Sequence, residues 1–332
     1  MKRILVCMLL IGTLHTMQAP AQTDPHFSQY YAYPMWLNPA LTGAIDGDYR
    51  ISANYRSQWS QLTKAFSTVG VSADLATSQS YNIGINLLNQ TAGDGGYRYT
   101  SGYVTFAYTG VRFGAEGYKR LVLALQAGML DRRFDPGKLS FGDQWNPVTG
   151  YDPTVSGDVM NRYASTAFDA GAGALYFDGE PDKKVNIFGG VSVYHLTRPD
   201  DKFYTNSPEK IPMRLNIHGG ARIGLGESLF LTPNFLYSAQ GNQTEKMLGA
   251  HIQLTADVNT NVLLGGYYRF DDAVVPFAGL NFRNMVLGIS YDVNASNLKN
   301  VSRSPNAFEL SLSFIGRKNR PYPVEYFICP RL

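Results

Sequence analysis

This chain has little of what would staple a fold, do acid–base chemistry or cross a membrane as a helix. Its 332 residues hold two cysteines, Cys7 and Cys329, and five histidines. Lys2 and Arg3 precede an apolar run from Ile4 to Ile11, and Ala19-Pro20-Ala21 offers small residues for cleavage before Gln22. Residues 1–21 therefore read as a secretory signal peptide, which is removed. Cys7 goes with it, too near the start for a lipoprotein cysteine, and the remaining Cys329 cannot form an internal disulfide. No other run of about 18 apolar residues occurs, so no transmembrane helix is expected. Charged residues make up only 17%, and the formal charge of +3 falls by two when Lys2 and Arg3 leave, since residues 1–21 hold no acid. So even a balance gives no support to nucleic-acid binding.

Catalytic and metal-binding patterns are as thin. The later histidines, His26, His195, His218 and His251, show no pair at metal-ligand spacing. Asp143, Asp152 and Asp158 could offer oxygen ligands, but without EF-hand spacing they read as a solvated acidic loop. No cofactor is implied. A Ser/His arrangement assembled by geometry alone is the least favoured reading.

What the chain does have is strict alternation. Leu215, Ile217, Ala221 and Ile223 alternate with Arg214, Asn216, His218 and Arg222; Leu248, Ala250, Ile252 and Leu254 with Gly249, His251, Gln253 and Thr255; Phe308, Leu310, Leu312 and Phe314 with Glu309, Ser311 and Ser313. A period of two is a strand's, not a helix's. Segments of about ten residues with this pattern are the mark of a transmembrane β-barrel, whose lipid and lumen faces alternate. Closure is required, because lipid offers no partner for a bare sheet edge. The mean hydropathy of −0.18 hides the apolar band, since every second residue is polar. Many of the 22 tyrosines, among them Tyr55, Tyr81, Tyr237 and Tyr291, fall at strand ends and suit an interfacial aromatic girdle.

The expected fold is all-β: an antiparallel transmembrane barrel over residues 48–316. About 14 strands are placed near 48–57, 66–75, 81–90, 99–109, 120–130, 167–177, 185–195, 213–224, 228–238, 246–256, 261–269, 274–283, 285–293 and 306–316. The long connections, 131–166, 196–212 and 294–305, all follow odd-numbered strands. The tight ones, near Gly226, Asn259 and Arg283 to Asn284, follow even-numbered strands. Long loops face outward and short turns the periplasm, with both termini periplasmic. Pro233 and Pro276 lie inside expected strands and predict a bulge or a misplaced boundary at each. The strand at 99–109 has aromatics on both faces.

Two segments fall outside the barrel. Residues 22–47, aromatic and broken by Pro25, Pro34 and Pro39, are expected to form a lumen plug or a periplasmic arm. Residues 317–332, RKNRPYPVEYFICPRL, follow the last strand as a periplasmic tail. Candidate plug or partner contacts are Asn38, Pro39, Trp59, Tyr322, Tyr326, Phe327 and Arg331.

Several runs, in order along the whole mature chain, carry a family resemblance: DPHFSQYYAYPMWLNPALTGA from Asp24, YRSQW from Tyr55, LSFGDQ from Leu139, GGVSVYHLTRP from Gly189, LGGYYRF from Leu264, LGISYDV from Leu287 and the final CPRL. They resemble the PorP/SprF family of Bacteroidetes outer-membrane proteins. Two departures stand out: Asn306-Ala307-Phe308-Glu309 where an acidic residue usually begins the last strand, and the irregular NASNLKNVSRS. The resemblance implies an outer-membrane part in type IX secretion and gliding motility, helping to export or hold a large surface protein. Its implied partners are an exported adhesin, periplasmic secretion components, among them a peptidoglycan-binding lipoprotein, and outer-membrane lipid. Asn38-Pro39-Ala40 within an amino-terminal plug is also similar to FadL-type transporters, so a channel for hydrophobic or small solutes is the alternative. A barrel enzyme such as a phospholipase or protease is disfavoured for want of chemistry.

Overall fold

A computed structural model of the chain describes residues 24–317, apart from 60–64, 78–79, 94–95, 141, 153, 156–161, 182, 204–208 and 296–305. The expected signal peptide and most of the expected tail, with Tyr322, Tyr326, Phe327 and Arg331, lie outside the described residues.

Fourteen antiparallel strands pair in chain order and close on themselves. They are β1 (Tyr49–Gln58), β2 (Phe66–Ala76), β3 (Tyr81–Ala92), β4 (Tyr97–Phe113), β5 (Lys119–Arg133), β6 (Ala164–Asp178), β7 (Val185–Tyr194), β8 (Arg214–Gly224), β9 (Leu229–Gln240), β10 (Gln243–Asp257), β11 (Thr260–Arg269), β12 (Ala273–Phe282), β13 (Met285–Asn294) and β14 (Ala307–Gly316). The seam is a full ladder from Tyr49 opposite Gly316 to Gln58 opposite Ala307. Closure leaves no edge strand. Among the described residues no helix is long and apolar enough to cross a membrane.

The alternation falls as a lipid-embedded wall requires. Leu248, Ile252 and Leu254 are exposed on the outside while His251 and Gln253 are buried inside. Leu310 and Leu312 likewise face out, with Glu309 and Ser311 in. On β4 the two faces separate cleanly: Tyr99 and Tyr103 are buried in the lumen, whereas Phe106 and Tyr108 point outward. That strand runs further than its pattern suggests. Tyr55, Tyr81 and Tyr291 are exposed on the outer surface.

Neither proline makes a bulge or ends a strand. Pairing to the neighbouring strand lapses beside Pro233 between the Gly220–Asn234 and Ile223–Leu231 pairs, then resumes in the same register. Pro276 behaves alike between the Val274–Val293 and Phe277–Ser290 pairs. Each proline withholds one N–H without adding a residue, so the ladder loses bonds and keeps its register. Register shifts occur elsewhere, between Tyr108 and Val111 and between Thr255 and Asp257.

The connections after β5, β7 and β13 are long and lie at one end; those after β8, β10 and β12 are short and lie at the other. One tight turn, joining Gln240 to Gln243, also sits at the long-loop end. Two small hairpins stand in the long loops: Trp145–Asn146 pairs with Gly150–Tyr151, and Asp200–Asp201 with Glu209–Lys210.

Candidate functional site

The segment before β1 lies inside the barrel as a plug. Nearly every residue from Asp24 to Ile45 is buried, and their partners come from strands all round the wall. The segment leaves β1 at the short-turn end, where the Leu41 carbonyl accepts from Arg50 at 3.0 Å and the Thr42 carbonyl from Asn82 at 3.2 Å. It crosses mid-lumen in three short helical turns, Pro39–Leu41, Pro34–Leu37 and Tyr30–Ala32. Each of the first two opens on a proline, whose fixed φ suits a first helical position. It ends at the long-loop end, where Asp24 meets His195 at 2.7 Å. With this segment inside the wall, the polar lumen face of the strands finds polar partners, which is the condition for burying so many polar groups.

Two ionic clamps hold the plug near the long loops. In the first, Glu309 accepts from the backbone N–H groups of Ser28 at 2.6 Å and Gln29 at 2.8 Å. Arg56 pairs with Glu309 and lies 3.0 Å from Asp292. Arg269 reaches Asp292 at 2.7 Å, and the Ser28 hydroxyl sits among them, accepting from Arg56 and Arg269 while donating to Asp292. A single buried charge here would be untenable; the alternating signs and hydrogen bonds are what make the cluster tolerable.

In the second clamp His195 bridges two carboxylates, Asp24 through Nε2 and Asp169 through Nδ1, each at 2.7 Å. Arg214 reaches Asp24 at 3.0 Å, its guanidinium 4.3 Å from the ring centroids of both Trp36 and Tyr194. Burial alone would strip the charge from His195, but Asp24 and Asp169 outweigh it and raise its pKa to about 9. Burial would raise the Asp24 carboxyl too, yet His195 and Arg214 hold it well below the usual range. His26 is half-buried, and desolvation together with nearby Arg56 and Arg269 pushes it well below its ordinary value. With a carboxylate on each ring nitrogen, His195 has no free lone pair to act as a base, so this cluster is a latch and not a triad.

A second cluster caps these clamps. Ile211, from the loop after β7, packs with Phe27, Tyr33, Trp36, Tyr99 and Tyr103, and Phe203 from the same loop is buried. The longer loop after β5 differs: Trp145 is 62% and Val148 92% exposed at its hairpin tip.

Asn38 and Pro39 lie mid-lumen with no exposure that a partner could use. The Asn38 side chain accepts from Ala40 N–H at 2.9 Å, donates to the Ala174 carbonyl at 3.0 Å and meets His218 Nε2 at 3.1 Å. Glycine on the facing strands makes the notch: a Cβ at Gly173 would stand 2.1 Å from Asn38 Oδ1, and one at Gly190 2.6 Å from its Nδ2. Trp59 is far from both, at the long-loop end of β1. It has φ of 60°, donates its N–H to the Asn306 carbonyl and packs its ring against Phe66. The structure therefore does not bring these candidates together.

Two cavities flank the plug. The upper, 50 Å³, is lined by Asp24, Tyr30 and Glu245; the lower, 230 Å³, by Tyr31, Ile45, Phe277, Arg283 and Arg317. Adjacent tyrosines of one plug turn thus face different cavities and separate them.

The chain matches the family described as type IX secretion system membrane protein PorP/SprF over residues 19–314. It belongs to that family. No curated protein sequence matches it. Among solved structures, the Ralstonia pickettii toluene transporter TbuX superposes with a TM-score of 0.51 at 9% identity, over 85% of this chain and 93% of that one. The Pseudomonas putida toluene transporter TodX gives 0.50 at 8% identity, over 88% and 94%. At such identity the likeness establishes a shared barrel fold and says nothing of cargo. As a PorP/SprF protein this chain has its place in the bacterial outer membrane and in type IX secretion.

The family motifs fall on the plug and its clamps. DPHFSQ supplies Asp24, Ser28 and Gln29; YRSQW supplies Arg56; GGVSVYHLTRP supplies Gly190 and His195; LGGYYRF supplies Arg269; LGISYDV supplies Asp292. Reading the sequence for catalytic or metal spacing misses these residues as a group. Their signal is charge on the lumen face of alternating strands, where Arg56, Arg214 and Glu309 stand among small polar residues.

Proposed function

We propose that this protein is an outer-membrane component of type IX secretion that binds a large exported surface protein, an adhesin, and helps export or anchor it through protein–protein contacts. The near-whole-length PorP/SprF match carries this reading. The filled upper lumen supports it: a barrel whose interior is occupied by its own clamped segment is better suited to present two end surfaces than to pass cargo through its centre. By the loop-length rule the long-loop end is extracellular, and the exposed Trp145, Val148 and Tyr151 hairpin is the outer contact. Exposed aromatics of this kind are enriched at interfaces. On the periplasmic side the contact is the tail, with Tyr322, Tyr326, Phe327 and Arg331, toward secretion components that include a peptidoglycan-binding lipoprotein.

A FadL-like channel for hydrophobic or small solutes is the second reading, and the 230 Å³ lower cavity is the observation in its favour. Deletion of Pro321 to Leu332 separates the two. The expected result is a membrane-inserted, heat-modifiable barrel that no longer supports surface display of the exported protein. Full display by the truncated protein, together with solute flux through reconstituted barrels, would replace the secretion reading by the channel.

A further inference from the structure

The lower cavity lies at the short-turn end and has two unlike surfaces. Part of its wall is apolar, formed by Leu41 and Ile45 of the plug with Phe277 and Ile315 of the strands, beside the polar His251 and Gln253; its lining also includes three cations, Arg50, Arg283 and Arg317. Two of these arginines are neutralised locally: Arg50 by Asp74 at 2.9 Å and Arg317 by Asp46 at 2.6 Å. Arg283 is not. Among the described residues it has no carboxylate partner, and its guanidinium lies 5.1 Å over the Phe282 ring. It sits in the two-residue turn between β12 and β13 with φ of 54°, a backbone state that a non-glycine residue occupies at a cost. The lining therefore combines apolar surface with one uncompensated positive charge.

The chain continues from the rim of this cavity. Arg317 is part of the lining, and its ion pair with Asp46 ties the start of the following segment to the plug. That segment reads KNRPYPVEYFICPRL. It carries one acid, Glu325, flanked by Val324, Tyr326, Phe327 and Ile328, which is the inverse of that combination: a negative charge within an apolar run. Pro321 and Pro323 remove two N–H donors and disfavour a helix there. The stretch from Arg317 to Glu325 spans up to about 26 Å when extended, ample for two positions on the rim of one cavity. We propose that residues 322–328 fold back into this cavity, with Glu325 paired to Arg283 and Tyr326 or Phe327 against Phe277 and Ile45. The periplasmic face would then be a composite of tail and plug. A partner gripping the tail would be coupled through Ile45 and Asp46 to the plug itself. This inference deepens the secretion reading and rests on it for the tail's role: the side chains seated in the cavity are not those left free for a partner, and cross-linking reads the seating while surface display reads the recruitment.

Disulfide trapping in the full-length protein tests it. In a Cys329→Ser background, Asn284→Cys beside Arg283 is combined with Tyr326→Cys; the control combines Tyr326→Cys with Ser228→Cys, an exposed position in another turn at the same end. Under mild oxidant the first pair is expected to give an intrachain cross-link at least about fivefold faster than the control. Adding Arg283→Glu should abolish that advantage, and adding Glu325→Arg as well should restore it. Heat-modifiable mobility confirms that each variant is a folded barrel. Equal cross-linking of both pairs, or indifference to the charge reversals, would overturn the proposal.

Discussion

The two halves of the lumen are built on different physics. Beneath the long loops the plug is held by charge: Glu309, Asp292, Arg56 and Arg269 on one side, Asp24, His195, Asp169 and Arg214 on the other, with little space left over. Above the short turns a single ion pair, Arg50 with Asp74, holds the segment through the Leu41 carbonyl and the Gly43 N–H, and beside it lies a 230 Å³ cavity with a partly apolar wall. The first half specifies position, because each carboxylate has one geometry that satisfies it. The second half has one such ion pair where the first has two clusters, and the apolar contact beside its cavity is non-directional. A plug locked at one end and more loosely seated at the other is poised to move at the short-turn end.

The sharpest way to break this contrast is to remove one member of the upper clamps. Glu309→Ala strands Arg56 and leaves the N–H groups of Ser28 and Gln29 unpaired. Loss of one partner from a buried ion cluster costs about 3–5 kcal/mol, so protease should cut the amino-terminal segment in the folded barrel. Gln253→Ala, lining the lower cavity, should leave it protected. Similar cleavage in both variants would abolish the distinction between the halves.

Next in size is the outer wall, which neither half of the lumen touches. Ile252→Arg or Leu312→Arg should destabilise the barrel by about 2–4 kcal/mol if near the bilayer midplane, read as a lower urea midpoint in the heat-modifiable gel shift. Gln253→Asn, one residue along the same strand, should barely move it. Ser311 is less forgiving than its polar face suggests, because its hydroxyl donates to Gln29 at 2.7 Å. Comparable losses on both faces would contradict the assignment of lipid and lumen sides.

A smaller, graded effect comes from pH. The His195 pKa is raised from 6.5 to about 9, so its contribution is complete below 6.5 and is lost as pH climbs through about 9. Asp24 is lowered from 3.8; its contribution is complete above 3.8 and fades only in stronger acid. The second clamp should therefore be firmest between about pH 4 and 6.5. Proteolysis of the plug should quicken from about pH 6.5 to about 9.5, and His195→Gln should flatten that rise. An unchanged profile in the variant would remove His195 from the latch.

The wall was legible because alternation is local: each of the fourteen strands announces its own faces, and parity of loop lengths orders the ends. The clamps were not legible because they are assembled across the barrel. Ser28 and Glu309 are 281 residues apart, and no spacing rule joins them. Asn38 stands out in the sequence between two helix-opening features, yet its contacts depend on Gly173 and Gly190, which a pattern of glycines in strands does not single out. Pro233 and Pro276 mislead for the opposite reason. A local rule expects bulges where the closed ladder on either side is enough to hold the register.

The least perturbing test concerns the loops and fixes which half faces outward. At Gly150 the hairpin turns with φ of +82°, and nothing lies within 4 Å of where a β-carbon would stand, so an epitope inserted there meets no packing. Surface loops of this kind accept insertions with little loss of stability. The second loop is not equivalent, because Phe203 and Ile211 are buried and Ile211 packs on the plug. Asn206, an otherwise natural insertion point, lies outside the described residues. The same epitope placed beside Ile211 should loosen the plug, whereas at Gly150 it should leave both barrel and plug intact and be labelled on unbroken cells. Labelling at Gly150 only after permeabilisation would turn the barrel over, placing the ionic half of the lumen toward the periplasm and the cavity toward the outside.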